Sequence, residues 1–138
     1  MKQYGVTVLR VVVGVIYLMQ AYLALFASSP RAVAAFVAKL GLPVPTLLAV
    51  LVIVVHGFGG GMLVIGLGTR VAAALNAAIL LLTLLTVYVR QGALLKGALI
   101  DAVVGRAPGH GYEYVGLLVA ATVMLAVSGG AAAPGRSR

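Results

Sequence analysis

The sequence predicts an all-α protein, namely a four-helix transmembrane bundle with a short interfacial helix after the first span. The chain is 63% hydrophobic and only 9% charged, whereas soluble domains are about 45–50% apolar and about 25% charged. Its apolar residues fall into four long runs, and a membrane-spanning helix needs about 20 such residues. The 138 residues therefore have room for four spans, which we expect to form a single membrane domain over residues 1–138.

The first span is predicted over residues 6–26, and Ser28-Ser29-Pro30 ends it because proline stops helix propagation. Lys2 ahead of this apolar run and the small residues after it are also typical of a secretory signal peptide. The run is longer than the apolar region of such a peptide, which has about 7–15 residues. We therefore interpret it as an uncleaved span.

A short amphipathic helix is predicted over residues 31–40, directly after the first span. In this segment apolar residues recur at a spacing of three or four positions, and two cations accompany them. The apolar residues are Val33, Phe36, Val37 and Leu40, and the cations are Arg31 and Lys39. This pattern is typical of a helix that lies in the membrane interface.

Three further spans follow, separated by glycine, proline or charged residues. They are predicted over residues 46–67, 71–89 and 112–127. Gly68-Thr69-Arg70 forms the turn between the second and third spans, and the segment 93–111 carries charges that keep it out of the hydrocarbon. The last residues, 129–138, are rich in alanine, glycine and arginine and are predicted to form a flexible tail.

The net charge of +8 comes from cations placed mostly at the ends of the apolar runs. Cations at such positions anchor a membrane protein to anionic headgroups, so the predicted partner is the lipid bilayer and not nucleic acid. Four spans bring both termini to the same side of the membrane. The cations divide equally between the two sides, but Lys2 and Arg10 flank the first span closely. We therefore predict a multi-pass protein of the inner or plasma membrane with cytoplasmic termini.

The sequence contains no cysteine, which excludes several chemistries within this chain. Disulfides, thiol redox reactions, thiolate zinc sites and cysteine-bound iron–sulfur clusters all require that residue. No metal site is predicted. A redox role would therefore need a bound cofactor or a partner protein.

The first span carries one stripe of residues that are unusual in a membrane helix. Residues at a spacing of three or four positions share one face of a helix. The stripe comprises Arg10, Gly14, Tyr17, Ala21 and Ala24, with Gln20 beside it. A charge, a phenol and small residues on one face predict that the stripe packs against other helices.

The second span contains His56 near the midplane of the membrane, followed by the glycine-rich segment Gly57–Gly61. Small residues at this spacing let helix backbones approach closely, which favours a packing role. The alternative is that the missing side chains leave space for a ring-shaped ligand next to the histidine.

Three roles remain open for His56. A neutral imidazole hydrogen-bonded to Gln20, Tyr17 or a neighbouring helix is the structural interpretation. A site for quinone or protons is the functional one. A haem ligand is the weaker functional alternative, because a midplane haem needs a second axial histidine at similar depth and His110 lies at the interface.

Polar residues of the third span are assigned to structure. Asn76, Thr83 and Thr86 are typical of groups that form hydrogen bonds between membrane helices, which are worth about 0.6 kcal/mol each.

Asp101 and Glu113 are the two acidic residues of the chain, and Glu113 lies at the start of the fourth span. One interpretation makes this carboxylate an ion-pair partner and a helix-start group, stabilised by the positive end of the helix dipole. The other makes it a proton acceptor in a functional site. Its neighbours Tyr112 and Tyr114 are typical of the aromatic belt at the membrane surface.

The order and spacing of several short motifs resemble the DoxX family of small four-helix membrane proteins. These motifs are Leu9-Arg10 with Gly14, Tyr17 and Phe26, then Gly59-Gly60, Gly66-Leu67-Gly68-Thr69-Arg70 and Gly111-Tyr112-Glu113-Tyr114. The resemblance covers nearly the whole chain. His56 stands where the family often carries a glutamate.

The DoxX family includes the DoxD-type subunit of thiosulfate:quinone oxidoreductases, so the resemblance implies a membrane subunit or accessory of a quinone-linked redox system. Quinone is then the expected cofactor, and a redox partner protein or a second copy of the chain is the expected protein partner. The candidate quinone site comprises His56, Gln20, Tyr17 and Glu113. The competing hypothesis is a non-catalytic structural or assembly subunit of a membrane complex.

Arg90 ends the third span and Glu113 begins the fourth, so we predict that they lie on the same side of the membrane within pairing reach. An unpaired carboxylate in that position would be costly. Because the chain has no cysteine, a variant carrying both Arg90→Cys and Glu113→Cys should cross-link with a short bifunctional thiol reagent. A pair that does not cross-link, although each cysteine alone reacts with a maleimide, would contradict the prediction.

Overall fold

The structure, a computed structural model, describes residues 2–88 and 112–129. Its helices are α1 (Lys2–Tyr22), α2 (Pro30–Lys39), α3 (Pro45–Ile65), α4 (Thr69–Thr83) and α5 (Tyr112–Ser128). Two of them continue into a wider π-helical segment, α1 over Leu23–Ala27 and α4 over Leu84–Tyr88. At the first of these, the amide of Ser28 donates to the carbonyl of Leu23, five residues back, at 2.9 Å.

The predicted fold class is confirmed for the described residues, which contain helices and no strands. Three helical stretches are long and apolar enough to cross a membrane, and a fourth is apolar but shorter. The long stretches are Tyr4–Ala27, Pro45–Ile65 and Thr69–Thr86, and the shorter one is Tyr114–Ser128. Large apolar side chains cover the outer faces, for example Phe58, which is 76% exposed. Such a surface is suited to lipid and not to water.

The helices begin and end where the sequence supplies the local chemistry. At α2, the hydroxyl of Ser29 accepts a hydrogen bond from the amide of Ala32 at 3.3 Å, and Pro30 occupies the first helical position. Gly66 and Gly68, with φ of 83° and 54°, form the tight turn from α3 to α4. Both angles lie in the left-handed region that glycine adopts without strain.

The core of the bundle lies where α1 packs on α3, α3 on α4 and α4 on α5, with α2 packed on the outer side of α3. Its fully buried members are Val13, Tyr17, Leu63, Ala72, Ala73, Leu80, Val115, Leu118 and Leu125. Three of these nine residues are Tyr17 on α1 and Ala72 and Ala73 on α4. They are aromatic or small residues, which contact with lipid alone would not require. Every described spanning helix therefore contributes to one shared core.

The backbones of α1 and α3 approach each other closely at Gly14 and Gly60. A Cβ atom added to Gly60 would lie 2.9 Å from the carbonyl oxygen of Gly14 and 3.0 Å from the amide nitrogen of Leu18. The predicted packing role is confirmed for Gly60 and also for Gly59, which lies against the amide of Asn76 on α4. It is wrong for Gly61, where no neighbouring atom lies within 4 Å of the Cβ position.

Two arginines pack over glycines at the end of the bundle where α1 begins. A Cβ atom on Gly66 would lie 2.8 Å from Cζ of Arg10, and one on Gly129 would lie 2.6 Å from Nε of Arg70. Arg70 also donates a long hydrogen bond of 3.4 Å to the carbonyl of Val127. Each cation thus lies at the C-terminal end of a helix, where the helix dipole favours positive charge.

Arg90, Asp101 and residues 130–138 of the predicted tail lie outside the described residues, as does the side chain of Glu113. The expected pair between Arg90 and Glu113 therefore stays a prediction. The backbone of Glu113 belongs to the first turn of α5.

Replacing Gly60 with alanine should destabilise the bundle, because the added methyl group would meet backbone atoms of α1. We expect a loss of about 1–3 kcal/mol in the free energy of unfolding, as for overpacked cores. Gly61→Ala is the matched control, since its methyl group meets no atom within 4 Å and alanine favours helix by about 0.5–1 kcal/mol over glycine. Thermal or SDS-induced unfolding in detergent measures both, and equal stability of the two variants would contradict the assigned crossing.

Candidate ligand site

His56 lies in the interior of the bundle, on the face of α3 that also carries Gly59 and Gly60 one turn later. Its side chain is only 5% exposed. The glycines bring α1 and α4 close to α3, so the imidazole is enclosed by several helices. A polar ring in this position is costly unless another group satisfies it.

The nearest aromatic neighbour of His56 is Tyr17 on α1. The two ring centroids are 4.9 Å apart and the ring planes meet at 65°, an edge-to-face contact. The hydroxyl of Tyr17 lies 2.7 Å from that of Thr122 on α5, and Thr122 in turn donates to the carbonyl of Leu118 at 2.7 Å. Because a hydroxyl has one proton, Tyr17 is the donor to Thr122. Tyr17 therefore contacts the imidazole through its ring and not, as one interpretation expected, through a hydrogen bond.

Among the described residues, Nδ1 of His56 is buried without a hydrogen-bond partner. Nε of Arg10 and Oδ1 of Asn76 are the other buried side-chain atoms of that part of the chain without one. Buried polar atoms are usually paired in proteins, and each exception calls for an explanation.

A partly open cavity of about 230 Å³ lies beside the imidazole, between α1, α3, α4 and the start of α5. It is lined by Gln20, Ala21, Ala24, Val52, Ile53, His56, Leu80, Thr83 and Val115. Three of these side chains are polar, and the remainder are apolar. The cavity thus combines an apolar interior with a few polar groups, as small-molecule sites usually do.

Two apolar grooves adjoin this cavity. A groove of about 390 Å³ between α1 and α3 shares Ala21 and Ile53 with it. A second groove, of about 180 Å³ and bordered by α2, α3 and α4, shares Val52 and Thr83 with it. Exposed residues such as Phe26 and Phe58 belong to the larger groove, so that groove opens on the lipid-facing side of the bundle.

The polar side chains of α4 form hydrogen bonds within their own helix. Thr83 donates to the carbonyl of Ile79 at 2.9 Å, and Thr86 donates to that of Leu82 at 2.8 Å. The amide nitrogen of Asn76 likewise donates to Ala72, four residues back, at 2.8 Å. The expected hydrogen bonds between helices are therefore wrong for these donors, because a carbonyl one turn earlier is always within reach.

The sequence model of the DoxX family matches residues 5–89 of this chain, more than half of its length. The chain belongs to the DoxX family. No curated protein and no solved structure matches it. The matched region contains α1 from Gly5 onwards and all of α2, α3 and α4. With its membrane-length apolar helices, this DoxX protein is an integral membrane protein.

Three of the four candidate site residues come together in this DoxX protein. Gln20 and His56 both line the cavity, and Tyr17 contacts the imidazole from outside the cavity wall. The side chain of Glu113 lies outside the described part of the chain, so its role stays a prediction. Val115, two residues after it on α5, lines the cavity.

Two residues at the site were not singled out in the sequence as site residues. Thr122 is fully buried and holds the hydroxyl of Tyr17, and Thr83 lines the cavity. The signal for Thr122 was a hydroxyl in the middle of the fourth apolar run. No group of three or more His, Cys, Asp or Glu side chains that could hold a metal is present in residues 2–88 and 112–129.

The Tyr17–Thr122 hydrogen bond should couple α1 to α5 in this DoxX protein. We expect a double-mutant cycle of Tyr17→Phe and Thr122→Val to give a coupling energy between about 0.6 kcal/mol, the average for bonds between membrane helices, and about 1.7 kcal/mol, the largest value measured. Free energies of unfolding in detergent for the parent, both single variants and the double variant supply the four values. Strictly additive losses would show that the two hydroxyl groups do not interact.

Proposed function

We propose that this DoxX protein is a membrane subunit or accessory of a quinone-linked redox system that binds a quinone headgroup in the cavity beside His56. The observation that supports this proposal is a buried imidazole at an apolar cavity in the middle of a membrane bundle. Ionisable and polar residues inside membrane segments commonly mark functional sites. The proposal includes location in the plasma or inner membrane with cytoplasmic termini.

The size of the cavity suits one ring and not a whole lipid-like molecule. Sites for drug-sized ligands occupy about 300–1,000 Å³, and this cavity measures about 230 Å³. A quinone headgroup is a single substituted ring with two carbonyl oxygens. Its long apolar tail would therefore have to lie outside the cavity.

The adjoining groove between α1 and α3 offers a place for that tail. It measures about 390 Å³, is lined by apolar and aromatic side chains, and meets the cavity at Ala21 and Ile53. A tail in this groove would keep apolar surface away from water and remain in contact with lipid. The headgroup could then enter from the bilayer without crossing the core of the bundle.

The polar groups of the site have separate roles in this proposal. His56 and Gln20 form hydrogen bonds to the headgroup, and Tyr17 holds the imidazole ring in place by edge-to-face contact. Glu113 exchanges protons with the site from the start of α5, two residues before Val115 of the cavity wall. Electrons come from a redox partner protein.

The second candidate function is a non-catalytic structural or assembly subunit. One observation favours it, namely that the hydroxyls of Tyr17, Thr83 and Thr122 all donate to groups of the bundle itself. Polar residues used in this way hold helices together and leave little for a ligand. Quinone retention by the purified protein distinguishes the two candidates.

His56→Phe should abolish quinone retention, because phenylalanine roughly keeps the volume of the ring but has no nitrogen to hydrogen-bond the headgroup. The measurement is chromatography of the lipid extract from protein purified in mild detergent out of quinone-containing membranes. His56→Gln is the matched control, since its amide restores a donor and an acceptor and should retain part of the quinone.

Both variants should unfold at temperatures close to that of the parent, which separates loss of ligand from loss of fold. Absence of quinone from the parent protein would favour the assembly subunit. Full retention of quinone in His56→Phe would indicate that Gln20 or Glu113, and not His56, binds the headgroup.

A further inference from the structure

The two ring nitrogens of His56 have different surroundings. Nδ1 is enclosed and has no partner among the described residues, whereas the ring also forms part of the cavity wall. Nε2 has no hydrogen bond within the described residues either, but it is not fully enclosed. Nε2 is therefore the nitrogen that remains for a ligand in the cavity.

A neutral imidazole carries one proton, so one nitrogen is a donor and the other an acceptor. Which nitrogen holds the proton depends on the partners of both. A buried N–H group without an acceptor is rarer in proteins than an acceptor without a donor. The enclosure of Nδ1 consequently favours the form in which the proton is on Nε2.

The other polar groups of the cavity differ from His56 in whether they can donate or accept a hydrogen bond. The hydroxyl of Thr83 donates its one hydrogen bond to the carbonyl of Ile79 at 2.9 Å. Its oxygen can therefore only accept a hydrogen bond from a ligand. Gln20 can both donate and accept. His56 is then the group of the described cavity wall that offers a donor and no acceptor.

We infer that His56 presents Nε2–H to the cavity and makes the site selective for a ligand bound through a carbonyl oxygen. This inference rests on the proposed function and specifies which redox form of the ligand the site prefers. Quinone carries carbonyl oxygens where its reduced form, quinol, carries hydroxyl groups. A carbonyl oxygen accepts a hydrogen bond from Nε2–H and, because it has no proton of its own, needs no acceptor. A hydroxyl that accepts the same bond must also direct its own proton to the oxygen of Thr83 or Gln20, so it needs a second aligned contact at an atom where a carbonyl needs only one.

The opposite proton position would reverse this selectivity. Oδ1 of Asn76 is also buried without a described partner, and Gly59, against which Asn76 packs, lies one turn from His56 on α3. If a water molecule joined Nδ1–H to this oxygen, Nε2 would become an acceptor and would favour quinol. The two arrangements are distinguishable by experiment.

The first test is the ¹⁵N NMR spectrum of histidine-labelled protein in detergent without added ligand. The two nitrogens of a neutral imidazole differ strongly in chemical shift according to which one is protonated, and the spectrum of His56→Gln identifies the His56 signals by their loss. We expect Nε2 to be protonated. Protonation at Nδ1 overturns the inference and leaves the proposed function standing.

The second test compares binding of a tail-free dimethoxy-methyl-benzoquinone with binding of its quinol, kept reduced by dithionite. We expect the quinone to bind about tenfold more tightly, the factor that about 1.4 kcal/mol of hydrogen bonding gives. His56→Gln, with both a donor and an acceptor, should bind the two forms about equally. Protein-free micelles correct for partitioning into detergent.

Each outcome of the binding test has one meaning. A preference for quinone that disappears in His56→Gln supports the inference. A preference for quinone that persists in His56→Gln, equal affinities in the parent, or a preference for quinol overturns the inference while the proposed site survives. Binding of neither form overturns the inference and the proposed function together.

Discussion

The backbone contact between α1 and α3 at Gly14 and Gly60 is the constraint on which the rest of the bundle depends. Lipid is as apolar as leucine, so helices gain no hydrophobic free energy from association and rely on close packing. Tyr17 and His56 each lie one turn from this contact, and their rings consequently meet at 4.9 Å. The same contact holds Gln20 against the cavity. The position of the candidate site therefore follows from the place where two backbones touch.

Several polar side chains of the described spanning helices donate hydrogen bonds within their own helix. Asn76, Thr83 and Thr122 each donate to a carbonyl four residues earlier on the same helix, which removes the need for a partner on another helix. The hydrogen bond between Tyr17 and Thr122 joins two helices. His56 has no such bond to its own helix within residues 2–88 and 112–129. That difference is why the proposal assigns the ligand contact to the imidazole and not to a hydroxyl.

The helices and the packing glycine could be predicted because both depend on properties read along one chain, namely the length of an apolar run and the absence of a side chain. Gly61 was predicted wrongly because α3 is apolar on all sides, so its sequence does not indicate which face meets α1. The partner of Tyr17 was not foreseen, since Thr122 lies 105 residues away and the pairing depends on how α5 docks. The cavity likewise arises from volume left between four helices, which no spacing within one helix describes.

The π-helical end of α1 makes the cavity wall and the adjoining groove depend on how many residues this helix contains. A π turn holds about one residue more than an α turn, and each residue rotates a helix by about 100°. Ala24 of the wall lies within the segment Leu23–Ala27. Removing a single residue there would restore ordinary α-helical pairing and turn every later side chain of that helix to a different neighbour. Leu25 and Phe26 of this segment line the groove between α1 and α3, so that groove depends on the number of residues here as well as on their chemistry.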